Sequence, residues 1–126
     1  MKKILVTGGS GLVGSALKKQ IDGLYPNSRE LNLVNRDNVF DYFEKNSFDC
    51  VIHVAGRVGG VAANTNYVSD FYSENILMNT NILDASVKFR IPKVICCLST
   101  CIYPDEKFVK YPLTCLLYTS DAADEG

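Results

Sequence analysis

The sequence predicts an α/β fold built on a doubly wound parallel sheet, and three observations carry that expectation. Short apolar runs recur at Lys3 to Thr7, Cys50 to Ala55 and Lys93 to Leu98, the pattern of strands buried on both faces. Segments of helical periodicity separate them. Glycines at 8, 11 and 14 stand directly between the first apolar run and the first helical segment. Strands alternating with helices imply right-handed crossovers, and so one parallel sheet with helices on both faces.

Each element has its own warrant. The first strand, Lys3 to Thr7, ends where Gly8 begins a glycine-rich turn. Leu12, Val13, Ala16, Leu17 and Ile21 recur at helical spacing while Lys18, Lys19 and Gln20 face water, and Asp22-Gly23 supplies the stop. A second strand is expected from Leu24 to Asn27, but it is short and contains Pro26, so it belongs at an edge or pairs poorly. Val39, Phe40 and Phe43 predict a helix from about Arg36 to Lys45, followed by the buried run Cys50 to Ala55 and a glycine-rich loop from Gly56 to Asn66. A long helix is expected from Tyr67 to Phe89 with Tyr72, Ile76, Leu83 and Val87 on one stripe, and Pro92 marks its end. Lys93 to Leu98 is the last strand.

Composition narrows the function. The chain has 126 residues, 47% hydrophobic and 21% charged, with a formal net charge of −1. That suits one globular domain with a real core. A near-neutral balance gives no basic excess for nucleic acid or an anionic membrane, so neither is an expected partner. The charged start Met1-Lys2-Lys3 is followed by only three apolar residues before Thr7-Gly8-Gly9, too few for a signal peptide; a cytoplasmic protein is expected. Five cysteines without a Cys-x-x-Cys pair argue for reduced thiols, and the single histidine, His53, argues against a histidine metal site or a local Ser/His/Asp triad. In a buried strand, His53 reads as a hydrogen-bonded core residue.

The segment Thr7-Gly8-Gly9-Ser10-Gly11-Leu12-Val13-Gly14 carries the sharpest chemistry. Gly8 permits the tight turn, Gly11 lets backbone N–H groups approach a pyrophosphate, and Gly14 lets the helix pack closely on the sheet. A glycine triplet gains weight when it follows an apolar strand and opens an amphipathic helix, as here. The expected architecture is therefore a Rossmann-like dinucleotide-binding sheet. In such folds the residue that reads the adenosine ribose lies about 20 positions beyond the loop, where this chain has Ser28-Arg29-Glu30. Arg29 suits a 2′-phosphate and Glu30 a 2′-hydroxyl, and each also suits a solvated loop.

Gly-x-x-Gly-x-x-Gly after a threonine resembles the short-chain dehydrogenase/reductase superfamily, in the extended branch that acts on sugar nucleotides. Further segments, Ala55-Gly56-Arg57-Val58-Gly59-Gly60, Asn64 to Phe71, Glu74-Asn75, Leu98 to Pro104 as "LSTCIYP" and Tyr111-Pro112-Leu113-Thr114, are similar to the GDP-L-fucose synthase family, in the family's order. The resemblance implies NADP(H) as cofactor, held by Gly8, Gly9, Ser10, Gly11, Leu12, Val13, Gly14, Arg29, Ala55 and Leu98. It implies Ser99 as the catalytic serine that holds a substrate carbonyl and Cys101 as a proton-transfer thiol in epimerisation of a 4-keto sugar. It also implies a GDP-sugar substrate and a homodimer for the full-length protein. The stretch from Asp22 to Tyr25 is shorter than the family's.

Tyr103-Pro104-Asp105-Glu106-Lys107 has the Tyr-x-x-x-Lys spacing of the superfamily's catalytic pair, but it follows directly on Ser99 and Cys101 in a loop. We read it as accidental, with the family's own pair expected beyond Thr114 and the fragment itself inactive. Residues 1–114 are taken as the incomplete NADP(H)-binding domain. Cys115 to Gly126 begins "CLLYTSDAADE", which resembles the translation of a sequencing-library adapter and is expected to be non-native.

Overall fold

The computed structural model describes residues 2–59 and 65–97. Three strands, β1 (Ile4–Thr7), β2 (Cys50–His53) and β3 (Lys93–Cys96), alternate with three helices, α1 (Leu12–Lys18), α2 (Arg36–Lys45) and α3 (Val68–Lys88). The strands are parallel in the order β1-β2-β3, with Thr7 level with His53 and His53 level with Cys96. β2 is the central strand and is buried throughout.

β1 and β2 are covered on both faces. On one, Leu5 and Val51 pack with Leu31, Val39 and Phe43 of the α2 region, with Phe48, and with Ile82 and Ala85 of α3. On the other, Val6, Cys50 and Ile52 meet Leu17, Ile21 and Tyr25. Alternate residues of β1 and β2 thus feed opposite cores, as the two-residue strand period requires. Leu5, Val51, Phe43 and Ile82 are almost fully buried, each contributing about 1.5–3 kcal/mol by removal from water. Phe43 also meets Phe48 edge-on, ring centroids 5.4 Å apart. The start of α2 is fixed by Asn35, whose side chain accepts from the Asn38 N–H at 3.1 Å.

Four expectations are corrected. The second strand reduces to one bridge: Leu24 donates to the Ile4 carbonyl at 2.8 Å and accepts from the Val6 N–H at 2.9 Å. Pro26, two residues on, has no N–H with which to continue the ladder. α1 stops at Lys18, and Leu12 and Val13 are exposed. Its buried position is Gly14, because the helix sits so close to the preceding turn that a Cβ there would lie 1.9 Å from the Gly8 carbonyl oxygen. In α3 the stripe Tyr72, Ile76, Leu83 and Val87 is exposed, and the inner face is Met78, Asn81, Ile82, Ala85 and Ser86. Three buried apolar residues and two polar ones replace the expected aromatic and aliphatic stripe. Finally, β3 is not buried on both faces: its residues alternate between exposed and half-buried.

No helix among the described residues is long and apolar enough to cross a membrane. Cys50, Cys96 and Cys97 are free thiols, and the described residues hold no group of three metal-ligating side chains.

Candidate functional site

A cleft of about 630 Å³ opens at the carboxyl ends of β1 and β2, where doubly wound sheets place their ligands. Its floor is Gly8 to Gly11. Tyr25 to Ser28 and Leu31 to Val34 form one wall, and Val54 to Arg57 with Glu74 and Met78 form the other.

The floor is shaped by its glycines. Gly8 has φ +76°, a left-handed conformation that disfavours any Cβ, and a Cβ there would lie 2.7 Å from the Ala55 Cα. The turn closes when Gly11 N–H donates to the Gly8 carbonyl at 3.0 Å. Gly11 caps α1 without a side-chain hydrogen bond, and a Cβ at Gly11 would meet only the Gly8 carbonyl oxygen, at 3.4 Å. So Gly8 and Gly14 have no room for a Cβ against protein backbone, whereas at Gly11 a Cβ would make only an ordinary contact.

The wall beyond Leu24 is a self-capped turn. The Asn27 side chain accepts from the Arg29 and Glu30 N–H groups at 2.9 and 3.1 Å, and the Glu30 carboxylate accepts from the Asn27 N–H at 2.8 Å. This reciprocal arrangement follows the logic of a capping box. It engages one oxygen of the Glu30 carboxylate with the backbone, while Arg29, next in sequence to the lining residue Ser28, is exposed.

The opposite wall is tied to α3. Asn75 accepts from the Arg57 N–H at 2.8 Å and returns its amide to the Arg57 carbonyl at 2.9 Å. The Arg57 guanidinium pairs with Glu74 at 2.6 Å and lies over the Phe71 ring. Asn81, 3% exposed, donates to the Leu33 and Val34 carbonyls at 2.8 and 3.2 Å, holding the other wall from the same helix.

Beneath the floor, His53 Nδ1 lies 2.6 Å from the Thr7 hydroxyl and Nε2 lies 2.8 Å from Asn79 Oδ1. Burial pushes the His53 pKa down from 6.5, and the Asn79 hydrogen bond opposes this in part.

The sequence-derived residues distribute unevenly. Gly8, Gly9, Ser10, Gly11 and Ala55 line the cleft. Gly14 packs behind the floor, and Leu12, Val13 and Arg29 are exposed outside the lining. Leu98, Ser99, Cys101, the Tyr103 to Lys107 segment and residues 115–126 lie outside the described residues. Sequence reasoning missed Tyr25 and Asn27 as wall residues and Asn79 as a histidine partner. Asn79 stands in the same run of helical asparagines as Asn75 and Asn81, spaced to face two loops at once.

The NAD dependent epimerase/dehydratase family matches residues 4–118. The chain is 39% identical over 120 residues to the GDP-L-fucose synthase of Dictyostelium discoideum, covering 89% of this chain and 37% of the relative. Among solved structures, it is similar to a GDP-L-fucose synthetase from Naegleria fowleri bound to NADP, with TM-score 0.71 and 39% identity, covering 94% of this chain and 37% of that one. It is also similar to a GDP-mannoheptose C4 reductase from Campylobacter jejuni with NADP bound, with TM-score 0.78 and 26% identity over 94% of this chain and 36% of that one. The chain thus spans little more than a third of the length of these relatives.

Proposed function

Because the chain belongs to the NAD dependent epimerase/dehydratase family, we propose that it is the NADP(H)-binding N-terminal part of a GDP-L-fucose synthase. The carrying observation is the cleft floor: Gly11 leaves open the place a side chain would fill, between a left-handed Gly8 and a closely packed Gly14. A pyrophosphate needs such an opening, because only a bare backbone lets N–H groups come within hydrogen-bond reach of its oxygens.

The adenosine end supports NADP(H) over NAD(H). Glu30 is the carboxylate that would accept from a ribose 2′-hydroxyl, and its Oε2 is turned toward the Asn27 N–H. Arg29 is exposed beside it and offers a planar, charged fork to a 2′-phosphate. Bound NADPH supplies the hydride that reduces a 4-keto sugar. Around it, the chain's own residues position and screen. Ala55 and Arg57 wall the cleft, Ser99 is assigned the hydrogen bond to the substrate carbonyl, and Cys101 the proton exchange at the neighbouring carbon. The complete protein would epimerise and reduce GDP-4-keto-6-deoxy-D-mannose, and the 126 residues by themselves would bind cofactor without turnover. Residues 115–126 are proposed to be non-native and to contribute nothing to the site.

Titration of the chain with NADPH and NADH tests the reading. Tighter NADPH binding, with Arg29→Ala losing about tenfold of it and leaving NADH unchanged, is expected from one exposed charge-assisted contact. Equal affinities that Arg29→Ala does not alter would remove the assignment. The fold likeness to the C4 reductase favours a second reading, a GDP-sugar reductase that does not epimerise. Solvent-deuterium incorporation into the sugar by the complete protein separates the two, since only epimerisation exchanges carbon-bound protons.

A further inference from the structure

We propose that His53 is a positioning residue for the cofactor: fixed by Asn79 as the neutral Nε2–H tautomer, it holds the Thr7 hydroxyl and so sets the spacing of the two loops that wall the cleft. This rests on reading the cleft as an NADP(H) site.

The partners around the ring favour one tautomer. Asn79 Oδ1, 2.8 Å away, can only accept, so Nε2 carries the proton. Nδ1 of the neutral ring is then bare and can only accept. The Thr7 hydroxyl at 2.6 Å must therefore donate to it, which leaves the Thr7 oxygen free to accept from the Ala55 N–H at 3.4 Å. One protonation state satisfies all four groups.

These bonds end at the cleft. Thr7 is the last residue of β1 and precedes Gly8, while Ala55 follows β2 and lines the opposite wall. The two loops touch, since a Cβ on Gly8 would come within 2.7 Å of the Ala55 backbone. A shift of the Thr7 hydroxyl is therefore passed directly to the floor and wall. Thr7 and His53 are 1% and 3% exposed, and a buried pair of this kind is costly when one member loses its partner.

Protonating Nδ1 reverses one bond. The imidazolium would donate to Thr7, and the Thr7 hydroxyl proton would lose its acceptor. Among the described residues, few other groups complicate this ring. β1 contributes Thr7, and β3 places Cys96 level with it, a thiol that burial and then Cys97 push up. From α3 comes neutral Asn79, while Glu74 and Asp84 of that helix are engaged by Arg57 and Arg36 and Asp70 lies further toward its start.

Asn79→Asp provides the test. Asn79 is exposed, so the change preserves packing, keeps the Nε2–H bond and supplies a charge that stabilises the imidazolium. The 126-residue chain is titrated with NADPH across the range in which histidine charges, with the His53 ring followed by nitrogen NMR. The parent should show a neutral ring and a flat affinity. In Asn79→Asp, affinity should fall about tenfold as pH drops, the size of one disrupted buried hydrogen bond, with its midpoint at the observed His53 titration. A new positive charge would by itself favour an anionic ligand, so a fall reads the lost Thr7 bond and not electrostatics. Thr7→Val should lose a similar factor at every pH, and Thr7→Ser should restore binding to within about threefold.

Affinity that stays flat in Asn79→Asp while the ring charges, or that is unchanged in Thr7→Val, overturns the proposal and leaves the NADP(H) reading standing. If the parent binds no NADPH, that reading fails first. Positioning is then judged from hydrogen exchange of the Ala55 and Gly11 amides, which should quicken in Thr7→Val and not in Thr7→Ser. Equal exchange in the two variants overturns it.

Discussion

Alanine at Gly14 and alanine at Gly11 should damage this protein in opposite ways, although both add one methyl group to the same loop. At Gly14 the new carbon would sit 1.9 Å from the Gly8 carbonyl oxygen, 2.6 Å from the Gly8 carbonyl carbon and 2.7 Å from the Gly9 Cα. All three are backbone atoms, so no side-chain rotation relieves the overlap. Overpacking typically costs 1–3 kcal/mol, and an immovable neighbour places Gly14→Ala at the upper end, about 3 kcal/mol. That is a large part of the 5–15 kcal/mol that holds a typical domain together. At Gly11 the new carbon meets one atom at 3.4 Å, and the backbone there, φ −78° and ψ 179°, suits alanine. Restricting the unfolded chain contributes roughly 0.4–1 kcal/mol, while alanine is a poorer helix cap than glycine by a comparable amount. Gly11→Ala should therefore stay within about 1 kcal/mol of the parent and yet lose NADPH binding. Urea unfolding followed by circular dichroism gives the first quantity, and NADPH fluorescence titration gives the second. A stable Gly14→Ala protein, or a Gly11→Ala protein that binds NADPH like the parent, would refute this division of labour.

Glu30→Ala should destabilise by about 1 kcal/mol through loss of the turn cap and should not convert the cofactor preference to NADH, which paired unfolding and binding measurements can check. Asn81→Leu should cost about 1–3 kcal/mol in urea unfolding, since it removes the donor to the Leu33 and Val34 carbonyls; an unchanged midpoint would mean water replaces it. Because burial lowers the folded His53 pKa below 6.5, the unfolded chain binds more protons below that pH. Stability should be full above about pH 6.5 and decline as pH falls through it, a dependence that His53→Gln should remove. The 126 residues, assayed with GDP-4-keto-6-deoxy-D-mannose and NADPH, should form no fucose nucleotide. Product that survives Ser99→Ala but vanishes in Tyr103→Phe would mean that Tyr103 and Lys107 are a working pair.

Much of the fold was legible because burial on a parallel sheet leaves a simple trace. Leu5, Val6, Val51 and Ile52 are apolar in unbroken runs because two helical layers cover them, and α2 lies where Val39 and Phe43 placed it. The inner face of α3 was not legible for a physical reason. That helix spends two of its buried positions on Asn81 and Ser86, whose partners are carbonyls that no periodicity reveals, and it leaves Tyr72 and Val87 exposed. A hydrophobic-stripe rule assigns such a helix the wrong face. The glycine floor could be read from spacing, since each glycine answers a separate steric demand. The wall built by Asn27 and Glu30 could not, because an Asx turn and a solvated loop are written in the same residues.

The sheet order also bears on how the chain is made. β1 bonds to β2, whose His53 follows Thr7 by 46 positions, and Leu24 contributes only a single bridge in between. At about 5–20 residues per second, a ribosome takes roughly 2–9 seconds to supply that partner. During that interval the apolar strand Ile4–Thr7 has left synthesis without the neighbour that covers its edge. The nascent stretch that carries Ile4–Thr7 and runs up to Asp49 should therefore be the one on which chaperones act, and pausing the ribosome just after Cys50 to His53 has cleared the exit tunnel should end their hold on it.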